Sequence, residues 1–144
     1  MAQIALIGAG GKMGCRITDN MRKGDHFVSY VEIGSKGIER LAERGIVPVR
    51  QEEAVPDADV IILAVPDVAI GQISAAVVPL MKAGALLLLL DPAAAFLGEL
   101  PSRSDISYFV AHPCHPPVFN DEIRWRQRGI SLAGWRPNRP LCVL

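Results

Sequence analysis

Aromatic residues are scarce in this 144-residue chain: four Phe, two Tyr and two Trp. Stacked rings therefore cannot build its core. Half the residues are hydrophobic, so the core must be aliphatic, made of Ala, Val, Ile and Leu. Cysteine is almost missing as well. Cys15, Cys114 and Cys142 make an odd count, which argues against a disulfide framework and fits a reducing cytoplasm.

Long apolar runs are missing too. The longest, Ala83 to Leu90, is bounded by Lys82 and Asp91, whereas a membrane span needs about 20 such residues. The N-terminus has no basic stretch or cleavage site of a secretory signal and enters an apolar strand directly. Net charge is zero, which argues against electrostatic capture of nucleic acid. We therefore expect a cytoplasmic protein with no membrane and no nucleic-acid partner.

Charge of one sign is absent from the tail. After Glu122 there is no Asp, Glu or Lys, yet Arg124, Arg126, Arg128, Arg136 and Arg139 all lie there. Residues 1–122 carry 10 basic and 15 acidic groups, a net of −5. The length fits a single domain, which can bury roughly two thirds of its unfolded surface.

What is present is an alternation of strands and helices. Gln3 to Ile7 is apolar and runs into glycines. Met13, Ile17 and Met21 stand four apart, as on one face of a helix over about 12–22. Phe27 to Val31 is a second strand. A second amphipathic helix around Ile38, Leu41 and Ala42 ends at Gly45, and Ile46 to Val49 predicts a short third strand. Gln51 to Ala58 is a turn or short helix. Val60 to Val65 is uninterrupted and apolar, as a strand buried on both faces must be. Asp67 is placed to cap a helix over roughly 68–82. Ala85 to Leu90 predicts a fifth strand, Pro92 to Gly98 a connection or single helical turn, and Ile106 to Ala111 a sixth strand. The pattern predicts an α/β fold: a doubly wound parallel sheet of the Rossmann type, in three α/β/α layers.

Gly8-Ala9-Gly10-Gly11-Lys12-Met13-Gly14 joins the first strand to the first helix. Strict G-x-G-x-x-G spacing fails at Met13, but G-x-x-G-x-x-G holds on Gly8, Gly11 and Gly14. Gly8 suits the turn out of the strand. Gly10 and Gly11 let backbone amides approach a pyrophosphate, and Gly14 lets the helix pack closely. Lys12 and Met13 open the helix, whose N-terminus attracts an anion. Glu32 closes the second strand, 18 residues past Gly14, where a carboxylate reads the adenosine ribose. It would repel a 2′-phosphate, so NAD is expected over NADP, although Ser35 and Lys36 follow closely. Val65, Pro66 and Asp67 end the fourth strand at the crevice and are candidates to line the ribose and nicotinamide. Pro66 and Asp67 would also stand there merely to end a strand and start a helix.

His112-Pro113-Cys114-His115-Pro116-Pro117-Val118-Phe119-Asn120-Asp121 follows the last strand. Its prolines forbid a helix. His112 and His115 would sit where substrate meets nicotinamide, able to act as general base or to polarise a carbonyl, with Asn120 a third catalytic candidate. A zinc site on His112, Cys114, His115 and Asp121 is the competing reading, and a rigid connector with surface histidines is the plain one.

The strand–GAGGKMG–helix start, Glu32, the VIILAVPD segment and the AHPCHPPVFND loop together resemble NAD-dependent oxidoreductases of the 6-phosphogluconate and β-hydroxyacid dehydrogenase group. The resemblance covers residues 1 to about 122. It implies hydride transfer between NAD and a hydroxylated, branched sugar acid, with or without isomerisation. Members of the group carry a second, helical domain that closes the site and usually forms a homodimer. No segment after Glu122 matches it, and residues 123–144 read as a truncated or out-of-frame ending, or as a basic arm for an acidic partner. A non-catalytic NAD-binding module remains the alternative to a working enzyme, and a small nucleotide-sensing protein is a third reading.

Overall fold

The protein's structure, a computed structural model, describes residues 1–112. The expectations for Cys114, His115, Asn120, Asp121 and the 123–144 tail lie outside the described residues.

Five strands form one sheet: β1 (Gln3–Ile7), β2 (Phe27–Val31), β3 (Val60–Leu63), β4 (Leu86–Leu89) and β5 (Ser107–Val110). Their order is β2-β1-β3-β4-β5, and every pairing is parallel. Side chains along a strand alternate between faces, so each strand splits its apolar residues between two cores. Ile4 and Leu6 join Ile17, Leu41 and Ile62 on one face. That face is covered by α1 (Lys12–Met21) and α2 (Ser35–Ala42). Ala5, Ile7, Ile61, Leu63, Leu87 and Leu89 join Val55, Ile70 and Val77 on the other. That face is covered by α3 (Gln51–Ala54), α4 (Ile70–Val77) and α5 (Ala93–Phe96). The result is the expected three-layer, doubly wound Rossmann sheet.

The third strand at 46–49 does not form. Pro48 has no N–H to give a ladder, and Val47 is exposed. Only Val49 pairs, as a single parallel bridge to Val31, donating its N–H to the Tyr30 carbonyl at 2.9 Å. The strand expected as the sixth is thus β5. The helix expected over 68–82 is also shorter. Its ends tighten into 3₁₀ turns at Asp67–Ala69 and Val78–Leu80, the second around Pro79. Asp67 makes no side-chain capping bond, and Ala69 stands at the N-cap of α4.

Three ion pairs brace the fold, two of them between distant segments. The Asp59 carboxylate accepts the Gln3 N–H at 2.8 Å and pairs with Lys82 at 2.7 Å, joining the amino ends of β1 and β3. Arg44 pairs with Asp19 at 2.9 Å, linking α2 to α1. Arg103 pairs with Asp105 and also donates to the Val78 and Met81 carbonyls, closing the 3₁₀ turn after α4.

From β1 the chain goes one way to β2 and the other way to β3. Connections that leave in opposite directions open a crevice outside the carboxyl ends of β1 and β3. No described helix is long and apolar enough to cross a membrane.

Candidate functional site

A cavity of about 270 Å³ occupies that crevice. Ile7 and Gly8 enter it from β1, Val31, Glu32 and Ile33 from β2, and Ala64, Val65 and Pro66 from β3. Gly11 closes one side, and Gln51 and Ile73 reach in from α3 and α4. Of the residues singled out in the sequence, Gly8, Gly11, Glu32, Val65 and Pro66 thus share one wall. Lys12 is exposed at the start of α1, and Asp67 is exposed beyond Pro66. Met13 packs against the core cluster beneath α1. Gly10 and Gly14 stand behind the wall.

The glycines have separate reasons. Gly8 has φ +78°, and a Cβ there would lie 2.6 Å from the Ala64 carbonyl oxygen. Only glycine turns out of β1 so close to β3. At Gly14 a Cβ would stand 1.9 Å from the Gly8 carbonyl oxygen, so α1 can seat against the loop only without one. At Gly10 a Cβ would collide with the Gly37 carbonyl oxygen at 2.2 Å. Its neighbour is therefore α2.

Gly10 is held by its polar atoms as well. Its N–H donates to Glu32 Oε2 at 2.9 Å, and its carbonyl accepts from Arg40 Nη1 at 3.1 Å and from the buried Cys15 thiol at 3.4 Å. The Gly11 N–H donates to the Gly8 carbonyl at 3.0 Å. Both amides expected to face a pyrophosphate are therefore engaged by the protein itself, that of Gly10 by Glu32 and that of Gly11 within the loop. The next donors are those of Lys12 and Met13, in the first turn of α1. That turn has no side-chain cap and no acidic residue. Its orphan N–H groups and positive dipole end suit an anion.

The Glu32 carboxylate accepts three backbone N–H groups. Besides Gly10 these are Ile33 and Gly34, both at 2.9 Å on Oε1. It also lies against the α carbon of Gly37, where a Cβ would come within 2.5 Å of its Cδ. The carboxylate is therefore fixed at the rim, and Oε2 keeps capacity for a further donor. The residues fit a dinucleotide: a turn requiring glycine, an uncapped helix start, an apolar cleft and an anchored acid.

Ile33, Gln51 and Ile73 were not singled out in the sequence. Ile33 offered a signal as a large apolar residue directly after Glu32, and the structure leaves it 93% exposed. Gln51 and Ile73 offered none, because only the packing of α3 and α4 carries them there.

His112 follows β5. Its Nδ1 lies 3.1 Å from the Leu90 carbonyl oxygen and 3.9 Å from Asp91 Oδ2, both at the carboxyl end of β4. Among the described residues no group of three or more His, Cys, Asp or Glu could hold a metal.

Residues 3–89 match the family described as NADP oxidoreductase, coenzyme F420-dependent. The chain belongs to that family. Two curated relatives of this chain bear the name D-apionate oxidoisomerase. The one from Cupriavidus necator is 52% identical over 92% of this chain and 48% of its own length. The one from Rhizobium rhizogenes is 49% identical over 93% and 49%. The chain thus spans about half the length of the curated relatives it matches. A Cupriavidus necator structure, described as a semialdehyde dehydrogenase NAD-binding protein in complex with calcium and NAD, superposes with a TM-score of 0.81. It is 48% identical over 91% of this chain and 48% of that one. A 3-hydroxyisobutyrate dehydrogenase from Mycobacterium tuberculosis superposes with a TM-score of 0.64 at 20% identity, covering 79% of this chain and 41% of that one. It shares the fold with this chain.

Proposed function

We propose that this chain is the NAD-binding half of an oxidoreductase that acts on a hydroxylated, branched sugar acid, with or without isomerisation. The observation that carries the cofactor choice is the Glu32 carboxylate, held by three backbone N–H groups at the rim of the glycine-loop cavity. A carboxylate so held accepts a ribose hydroxyl and cannot swing aside for a 2′-phosphate. NAD is therefore preferred over NADP in this member of a family whose description names NADP. Ile33, Val65, Pro66 and Ile73 offer apolar surface to the adenine. Because Val65 and Pro66 share their cavity with Glu32, the adenosine end suits them better than the nicotinamide end. The pyrophosphate would lie at the first turn of α1, against the Lys12 and Met13 amides.

Bound NAD would supply the hydride acceptor. His112 would take the proton of the substrate hydroxyl as the carbon loses hydride, with His115 and Asn120 of the same loop as further candidates. The sugar-acid assignment rests on the names of the relatives. A second reading, NAD binding without turnover by this chain alone, is favoured by its span of half those relatives. A homodimer would form through the half of those relatives that this sequence does not span.

Fluorescence titration with NADH, with NADPH run beside it, tests the reading. NADH should bind at least about 10-fold more tightly, the scale of one hydrogen bond to a charged group. No binding of either overturns the function, and equal binding overturns the role of Glu32. Turnover of D-apionate with NAD then separates a working enzyme from a binding module.

A further inference from the structure

The start of α3 turns a polar side chain toward an apolar cleft. The Val49 N–H donates to the Tyr30 carbonyl at 2.9 Å, and Val49 pairs with Val31 as a parallel bridge. That bridge holds the segment beside the end of β2. α3 starts two residues on, and Gln51 lines the cavity together with Glu32 and Ile33. Ala54 and Val55 are buried, whereas Glu52 and Glu53 are exposed. Residues three and four apart share a helix face, so Gln51 stands on the inward face with Ala54 and Val55.

The Gln51 side chain is half-buried, and among the described residues no group hydrogen-bonds its amide. Glu32 and Gln51 are the only polar side chains among the described residues of the cavity lining. Glu32 is held by three backbone N–H groups, and Gln51 is not held at all. A polar amide turned toward an apolar cleft gives up water without gaining a protein partner, a cost that a ligand with matching donor and acceptor offsets.

We propose that Gln51 reads the adenine base of the dinucleotide through its side-chain amide, so that the site selects adenine and not merely a flat apolar ring. The proposal rests on the cofactor reading above. With the pyrophosphate at α1 and the ribose at Glu32, the base lies beyond Glu32, between Ile33, Val65 and Ile73. Those apolar walls accept any ring. The amide of a glutamine carries an acceptor oxygen and an NH₂ donor. Adenine offers the complementary pair on two edges, N6–H beside N1 and N6–H beside N7. A glutamine therefore makes two hydrogen bonds with whichever of these edges faces it.

Calorimetric titration of the 144-residue chain with NAD and with 1,N6-etheno-NAD tests this. The etheno bridge removes the N6–H donors and the N1 lone pair, and it leaves the ribose and pyrophosphate unchanged. NAD should bind at least about 5-fold more tightly, the low end of what a bidentate amide–adenine pair gives. Gln51→Met keeps the length of the side chain and has no amide. It should lose about the same factor for NAD and bind both dinucleotides alike. Its urea midpoint should not change, because no protein partner is lost. Equal binding of the two dinucleotides by the unaltered chain overturns the proposal. So does a preference for NAD that survives in Gln51→Met, since a ring rejected for its bulk meets a methionine of similar size. Failure of the unaltered chain to bind NAD overturns the cofactor reading and this proposal together, whereas binding without discrimination overturns this proposal alone.

Discussion

Glu32 Oε2 accepts the Gly10 N–H at 2.9 Å, across 22 residues of sequence. The acid at the end of β2 and the glycine loop after β1 are therefore one hydrogen-bonded unit. Anything that moves the carboxylate alters the loop, and this coupling shapes what the substitutions below should do.

Glu32→Ala should weaken NADH binding about 10- to 100-fold and narrow the gap to NADPH, since a charge-assisted bond is worth about 1.5–3 kcal/mol. It also strips the partner from three backbone N–H groups. A fall in the urea midpoint should accompany the loss. Glu32→Gln, which keeps an acceptor oxygen, should recover part of the stability and less of the selectivity. Parallel titrations and urea unfolding of the two variants check both effects.

Gly37→Ala and Gly10→Ala should separate fold from selectivity. A Cβ on Gly37 meets the Glu32 side chain at 2.5 Å, and a side chain can move. The protein should fold, with the carboxylate displaced and the NADH preference reduced. A Cβ on Gly10 meets the Gly37 backbone carbonyl at 2.2 Å, which cannot move without α2. Overpacking of that kind costs about 1–3 kcal/mol or more. Urea midpoints should fall for both variants, less for Gly37→Ala, which disturbs only the hydrogen bonds of the carboxylate, than for Gly10→Ala, and the opposite ranking would contradict the assigned contacts.

Gly11→Val should leave the fold near intact and abolish NADH binding. Gly11 has φ −65°, which any residue adopts, and its added Cβ would stand 3.2 Å from the Gly8 oxygen, a tight but adjustable contact. The larger side chain would fill space beside the start of α1 that the pyrophosphate requires. A folded Gly11→Val protein with undiminished affinity would show that this loop does not hold the dinucleotide.

Acid should destabilise the protein through carboxylates at its ion pairs. The hydrogen bond from Lys82, and then that from the Gln3 N–H, hold the Asp59 carboxyl below its ordinary range. The Arg44 side chain does the same for Asp19, and Arg103 for Asp105. A pKa depressed by folding means that the unfolded chain binds more protons, so stability rises with pH in that window. The contribution is present above the unfolded value of about 3.9 and is lost as pH falls through the folded one. Asp59→Asn should therefore lower the urea midpoint at pH 7 slightly and flatten its decline below about pH 4. These side chains are partly or largely exposed, so the effect should be small and should shrink with added salt.

By itself the sequence determined the alternation of strands and helices, the two-faced apolar strands, the glycine turn and the acid at the end of the second strand. Those are properties of contiguous residues. Backbone geometry alone sends the unbroken apolar run Ile4–Ile7 to alternate faces and puts Met13, Ile17 and Met21 on one face of a helix. The tertiary structure decided the rest. The strand expected at Ile46–Val49 shrank to one bridge because a lone edge segment containing Pro48 had too few N–H groups to pair. The local pattern suits Gly10 to a pyrophosphate, and the structure adds that a Cβ there would meet Gly37, which no local pattern links to it. Gln51 and Ile73 reached the cavity wall, and Asp91 reached His112, through the packing of elements far apart in the chain. Periodicity tells which face of an element is buried. Which residue of another element it meets depends on register and approach, and those are settled only when all the faces close on one core at once.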